Sequence, residues 1–157
     1  MSHAFNTPYE GEYNQYTAYP MGGIGAGMIA LEGTGALSHV SLYHKPAFYH
    51  EPMAMAALCV QTPEGNRALV LEGQVPSRKV YRVPGGDTGL FGRTYGLPRF
   101  DNCRFTGRFP FGTVELSDAG FPLTANVTGW SPFIPGNADD SSLPVVALEY
   151  TLHNPGD

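Results

Sequence analysis

Charge is scarce in this chain. Asp, Glu, Lys and Arg make up 15% of its 157 residues, against about a quarter in an average soluble domain. Cysteine is scarcer still, with Cys59 and Cys103 alone. Neither lies in a CxxC or in a zinc-ligand spacing, so a cysteine-bound metal is excluded. Both fall in apolar strand patterns and read as buried free thiols, with a disulfide as the alternative if their strands are neighbours. No apolar run reaches the ~20 residues that a membrane-spanning helix requires. Residues 1–19 have neither the basic n-region nor the apolar h-region of a secretory signal. On that ground a cytoplasmic location is favoured, while the compartment itself stays open. Secure helix signals are missing as well.

Abundant instead are glycine, with 20 residues, and proline, with 14. Both oppose helices, proline by losing a donor and glycine by backbone entropy. They follow no period, which excludes collagen-like sequence and favours many turns between short strands. Hydrophobic residues are 42% and aromatics 12%, enough for a core and too much for a disordered chain. The length suits one domain.

Strand patterns follow along the chain. Residues 27–31 and 37–43 flank the turn Glu32-Gly33-Thr34-Gly35 and read as a hairpin. Residues 53–61 and 67–71 flank Thr62-Pro63-Glu64-Gly65-Asn66 and read as a second. Residues 73–98 hold three prolines and six glycines and read as a long irregular excursion. Residues 100–109 alternate most cleanly, with Cys103, Phe105, Gly107 and Phe109 on one face and Arg104, Thr106 and Arg108 on the other. Strands at 111–116, 123–130 and 143–153 complete an all-β antiparallel two-sheet sandwich, with residues 1–19 as an extended lead-in and 20–157 as the sandwich domain. The end, Asn154-Pro155-Gly156-Asp157, reads as a turn between strands. The domain is therefore expected to be truncated there, as part of a larger sandwich.

The net charge is −5, the wrong sign for a phosphate-backbone binder. Seven of the nine Lys and Arg residues lie between Arg78 and Arg108, interleaved with Tyr81, Phe91, Tyr95, Phe100 and Phe105. That mixture can stack and hold nucleic acid. In an acidic chain it reads better as a strand face packed on other acidic surface, so no nucleic-acid partner is expected.

Motifs of catalysis are weak. Gly25-Ala26-Gly27-Met28-Ile29-Ala30 fits a dinucleotide fingerprint formally, but Gly33 and Gly35 deny it the following helix. His39, His44 and His50 cluster in sequence without the converging ligands a metal needs, and no metal or cofactor is expected. The acid pairs Glu115 with Asp118, Glu32 with Glu51, and Asp139 with Asp140 offer no evident partners for glycoside hydrolysis, which uses two carboxylates about 5–10 Å apart. Asn126-Val127-Thr128 matches an N-glycosylation acceptor inside a strand. Trp130, the one tryptophan, could stack on a sugar or anchor a loop, and Tyr43 with His44 could line a ligand-facing rim.

Two stretches resemble a known family. Tyr19-Pro20-Met21-Gly22-Gly23-Ile24-Gly25-Ala26-Gly27 resembles the glycine-rich opening of glycoside hydrolase family 116. Gly129-Trp130-Ser131-Pro132-Phe133-Ile134-Pro135 and Asp140-Ser141-Ser142-Leu143-Pro144-Val145 resemble its later signature, with Phe109-Pro110-Phe111-Gly112 and Phe121-Pro122-Leu123 between. The family includes the non-lysosomal glucosylceramidase (bile acid β-glucosidase) and bacterial β-glucosidases. The resemblance implies an N-terminal β-sandwich whose partner is a C-terminal (α/α)₆ barrel. That barrel carries the acid/base and nucleophile of a retaining reaction on a β-glucoside or glucosylceramide-like substrate. Nothing here matches the barrel, so no catalytic residue carries over. The glycine loop, through Gly22, Gly23, Gly25 and Gly27, together with Trp130, Phe133, Tyr43 and His44, is then the candidate carbohydrate or interdomain contact. A stand-alone carbohydrate-binding sandwich and a structural or protein-interaction domain are the alternatives.

Overall fold

The computed structural model describes residues 3–48, 50–80 and 94–156. In chain order its elements are β1 (Tyr9–Glu10), α1 (Gly11–Asn14), β2 (Ala18–Met21), β3 (Met28–Glu32), β4 (Leu37–Leu42), β5 (Lys45–Ala47), β6 (Ala57–Thr62), β7 (Gly65–Gly73), α2 (Ser77–Val80), β8 (Arg99–Phe100), β9 (Asn102–Arg108), β10 (Phe111–Ser117), β11 (Thr124–Trp130), α3 (Ala138–Ser141) and β12 (Ala147–His153). The fold is an all-β sandwich. One layer is a five-stranded sheet, β1-β9-β10-β11-β12, and the other strands form a four-stranded sheet, β2-β3-β4-β5, and a three-stranded sheet, β6-β7-β8. Every pairing is antiparallel except β7 with β8, which is parallel.

Alternation along β10 and β11 explains the core. Gly112, Val114 and Leu116 pair with Gly129, Val127 and Ala125, and all six are buried. The intervening Thr113, Glu115, Asn126 and Thr128 face outward, as a period of two requires. Met21 and Leu31 from the four-stranded sheet, and Leu71 and Phe100 from the three-stranded sheet, join Phe105, Val114 and Val127 in one cluster. Sheet contact is closest at Gly129, where an added Cβ would stand 2.3 Å from the Met21 sulfur. A side chain at that position would push the two layers apart.

A buried ionic network ties the connections together. Lys79 Nζ donates to both carboxylate oxygens of Glu32, at 2.7 and 2.6 Å, and also contacts Glu51. The Tyr95 hydroxyl donates to Glu51 at 2.7 Å. Arg99 Nε meets Glu72 at 3.2 Å, while its Nη1 donates to the carbonyls of Thr94 and Leu97. Burial pushes the Glu72 carboxyl upward, more than the Arg99 guanidinium pulls it down. The acid pair Glu32 and Glu51 is therefore brought together, but around a lysine that ion-pairs with both.

Several expectations change in detail. Residues 73–98 are not wholly irregular, since Ser77–Val80 closes one helical turn that points Lys79 inward; residues 81–93, including Tyr81, Arg82, Phe91 and Arg93, lie outside the described residues. The last strand begins at Ala147 rather than Leu143, because Pro144 lacks a donor and the Val145 N–H turns back to the Leu143 carbonyl. Cys59 is not buried. Leu58 and Val60 take the inner face of β6, which leaves Cys59 exposed, and both cysteines are free thiols. Within residues 1–19, Tyr9 and Glu10 pair with Phe105 and Arg104 of β9.

The network gives a stability prediction. Lys79→Met leaves two carboxylates without their buried partner and should destabilise the chain by about 3–5 kcal/mol. Adding Glu32→Gln should recover part of that loss. Urea denaturation monitored by tyrosine and tryptophan fluorescence reads both, and an unchanged midpoint for Lys79→Met would refute it.

Candidate functional site

The connection of residues 22–27 joins β2 to β3 and is riveted to three other segments. The Gly22 N–H donates to Ser131 Oγ at 3.0 Å. The Ile24 N–H donates to the Ser141 carbonyl at 2.8 Å. At Gly23 an added Cβ would fall 2.1 Å from the Leu143 carbonyl oxygen, and at Gly27 one would fall 2.6 Å from that of Ser41. Gly27 also has φ +106, in the region that glycine alone enters freely. Gly25, at φ +74, has open space around it.

The segment after β11 is held as firmly. The Ser131 N–H donates to the Pro110 carbonyl at 3.2 Å. α3 is capped by the Asn137 side chain, which accepts from the Asp140 N–H at 3.1 Å. Buried Ser141 accepts from the Ile134 N–H at 2.9 Å and donates to the Ile134 carbonyl at 3.1 Å. One serine thus closes residues 134–141 into a loop, and its own backbone carbonyl receives the glycine connection.

This rigid frame displays apolar side chains. Ile24, Phe109, Phe111, Trp130, Phe133, Ile134 and Leu143 are exposed by 36% (Trp130) to 64% (Phe109). Phe109 and Phe133 meet edge-on, centroids 4.9 Å apart, and Phe111 lies 6.4 Å from Trp130 across the paired ends of β10 and β11. Trp130 leaves the outer face of its sheet beside Phe111, because the inner face at that end belongs to Gly112 and Gly129. Trp130, Phe133 and the glycine connection are thereby gathered at one end of the sandwich. Ile24, Phe109, Ser131, Ile134 and Ser141, which lie in the stretches that carry the family resemblance, belong with them.

Tyr43 and His44 stand next to this end. They form the two-residue tip between β4 and β5, where Leu42 pairs with Lys45. Leu42 Cδ2 lies 3.1 Å from where a Gly27 Cβ would be, so the hairpin roots on the glycine connection. Both tip residues have left-handed φ, +51 and +57, as a type I′ turn demands. For residues other than Gly, Asn or Asp that conformation costs about 1–2 kcal/mol each. Tyr43 is 90% exposed, so burial within the chain returns nothing against that strain.

The acids weighed from the sequence serve the fold. Arg104 holds Glu115 at 2.5 and 3.1 Å, Asp118 accepts from the Gly120 N–H, and Asn137 Nδ2 donates to Asp140. Among the described residues, no group of three or more His, Cys, Asp or Glu could hold a metal. Four of the described cations of residues 78–108 are engaged: Arg78 donates to the Gln15 carbonyl and covers the Tyr16 ring, while Lys79, Arg99 and Arg104 pair with carboxylates. A groove of about 650 Å³ runs past Asn14, Asp101, Arg104, Glu115 and Asn126. Its walls are amide, hydroxyl and carboxylate groups together with short apolar stretches.

These features define a β-sandwich module whose two glycine- and proline-rich segments are knitted into one apolar end. The chain belongs to glycosyl-hydrolase family 116: residues 18–157 match the family described as beta-glucosidase 2, glycosyl-hydrolase family 116 N-term. It is the N-terminal part of such an enzyme, whose catalytic domain is its implied partner. No curated protein matches the chain. Among the described residues, no helix is long and apolar enough to cross a membrane.

Two glycines that look alike in sequence should behave differently. Gly23→Ala drives a methyl group into backbone and should destabilise by about 2–3 kcal/mol. Gly25→Ala meets only the left-handed backbone penalty and should cost about 1 kcal/mol. Thermal denaturation of both variants checks the order; equal effects would mean that the contact with Leu143 relaxes freely.

Proposed function

We propose that this chain is the non-catalytic N-terminal β-sandwich of a β-glucosidase- or glucosylceramidase-like enzyme, and that its aromatic end packs against the catalytic (α/α)₆ barrel and shapes the rim of the active site. The observation that carries this reading is the exposure of Ile24, Phe109, Phe133, Ile134 and Leu143 on loops that are themselves rigid. Exposed apolar surface gathered in one place marks an interaction site. Here the surrounding hydrogen bonds preorganise it, which lowers the ordering entropy that association loses. The substrate, a β-glucoside or glucosylceramide-like molecule, is bound and cleaved by the barrel.

Two measurements test this. In the whole enzyme, Phe133→Asp with Ile134→Asp should split a single cooperative thermal transition into two, because the domains lose their shared interface. The same pair of changes should leave the melting of the 157-residue chain within about 2 °C, since both side chains are exposed in it. A single unshifted transition in the whole enzyme would count against the end as the interface. Separately, the 157-residue chain should not turn over an aryl β-glucoside at high concentration while the whole enzyme does. Turnover by the chain that is lost in Glu115→Gln would relocate the chemistry to this domain.

A further inference from the structure

The outer face of the five-stranded sheet carries a polar groove that the fold itself does not use. Across β9, β10 and β11 the residues Arg104, Glu115 and Asn126 stand side by side, and Asn102 with Ser117 forms the next rung. Thr124, two residues from Asn126, lies on the same face, as a period of two requires. Residues of α1 and the segment 74–76 rise beside these rungs and enclose about 650 Å³, within the range of ligand sites. The groove sits at the Ser117 end of β10, whereas Phe111 begins that strand at the aromatic end. The two surfaces are therefore about 20 Å apart along the strand.

Much of the polar lining has no partner. The side chains of Gln15, Thr34, Asn102, Ser117, Thr124 and Asn126 line the groove and form no hydrogen bond with other described residues. Thr34 is only 5% exposed, and an enclosed hydroxyl without a partner is costly. The charged groups, by contrast, are held. Arg104 pairs with Glu115 and lies near Glu10, and Gln74 Nε2 donates to Asp101 at 3.2 Å. Three carboxylates face one guanidinium, the wrong balance for a phosphate or a nucleic acid. Among the described residues that line the groove none is aromatic, so it offers no bed for a flat apolar ligand.

A neutral molecule rich in hydroxyls matches this lining. A sugar hydroxyl both donates and accepts. A carboxamide presents a donor and an acceptor side by side, and so meets two neighbouring hydroxyls at once. Strands about 4.8 Å apart repeat such groups across the sheet, which suits an elongated ligand lying along the rungs. Val75 and Pro76 on the groove wall supply short apolar surface for the C–H faces of the rings.

We infer that this groove binds a neutral oligosaccharide, held by the carboxamides of Gln15, Asn102 and Asn126 and the hydroxyl of Thr124. The inference does not depend on docking of the aromatic end, because it uses other residues on another surface. Hydrogen bonds exchanged with water, without ring stacking, give weak binding, with Kd of about 1 mM.

The test is titration of the isotope-labelled 157-residue chain with cellotetraose, mannotetraose and maltotetraose, followed by amide NMR. At least one should shift amides of residues 101–104, 115–117 and 124–126, and about 0.5 M NaCl should leave the effect unchanged because no charge is neutralised. Asn102→Ala with Asn126→Ala should weaken that binding about 10-fold and keep Tm within about 2 °C, since both side chains are exposed. Trp130→Ala should bind as the parent chain does. No shift with any of the three sugars at about 10 mM would overturn the inference, as would shifts confined to the surroundings of Trp130 or undiminished binding by the double variant. Spermine is the contrasting probe. If it alone moves the groove amides, and only at low salt, the carboxylates make this a polycation site and the oligosaccharide reading falls.

Discussion

The architecture of the candidate end depends on one close approach, the seating of residues 22–27 against residues 131 and 141–143. Gly22 and Ile24 donate to Ser131 and Ser141, and Gly23 sits so near the Leu143 carbonyl that only hydrogen fits. The contact joins the connection between β2 and β3 to the long connection between β11 and β12. It therefore ties the four-stranded sheet to the opposite layer at the point where regular pairing ends. Without it, the glycine connection and the loop bearing Phe133 and Ile134 would be two separate, exposed segments of the kind that normally open first. With it, they form one surface of fixed shape. A protein that must present apolar groups to a partner gains from this, because little entropy remains to be lost on docking.

The other long-range constraint is ionic. Lys79 draws Glu32 at the end of β3 and Glu51 in the connection to β6 onto α2, and Tyr95 reaches the same Glu51 from the far side of residues 81–93. Arg99 gathers the carbonyls just before it while pairing with Glu72 of β7. Charges this deeply placed are expensive to desolvate, and their net contribution to stability is small beside an apolar substitute. What they do is specify: each charge accepts one set of partners, so the roots of a glycine-rich excursion come to one place. The contrast with the aromatic end is informative. Polar specificity organises the middle of the domain, whereas apolar surface is left at its edge.

Much of the fold was legible because strands with one buried face alternate. Residues 102–108 and 111–117 show that alternation, and the hairpins around residues 33–36 and 62–65 carry glycine where the chain turns. Legibility failed where side chains override local propensity. The Tyr43-His44 turn was hidden because neither residue favours left-handed backbone, so the segment looked like a strand running into a loop. Cys59 looked buried from the apolar character of its strand, yet the parity of Leu58 and Val60 fixes it outward. Glu32 and Glu51 read only as an unconvincing carboxylate pair, since Lys79 is 47 residues from Glu32 in the chain and only tertiary folding brings it there. For the site, the glycine connection, Trp130 and Phe133 could be picked from the sequence by family resemblance. That Ser131 and Ser141 join them could not, because serine in a loop carries no periodic signal.

Charge placement finally bears on how such a domain would recognise a partner. Its net charge is −5, and of the cations between residues 78 and 108, Lys79, Arg99 and Arg104 pair with carboxylates within the chain. Long-range steering by a basic patch is thus weakened. The aromatic end holds no ion pair among its described residues; serine hydroxyls and backbone amides bond to one another there, and Asn137 caps α3 and donates to Asp140. On the proposed docking, recognition there would rest mainly on shape and on apolar area removed from water, which is worth about 25 cal/mol per Å² before the losses of association. That term is barely screened by salt, unlike contacts between exposed charges. An interface of the proposed kind would suit two domains of one polypeptide, for which encounter needs no steering and only the fit of the facing surfaces decides whether they stay together.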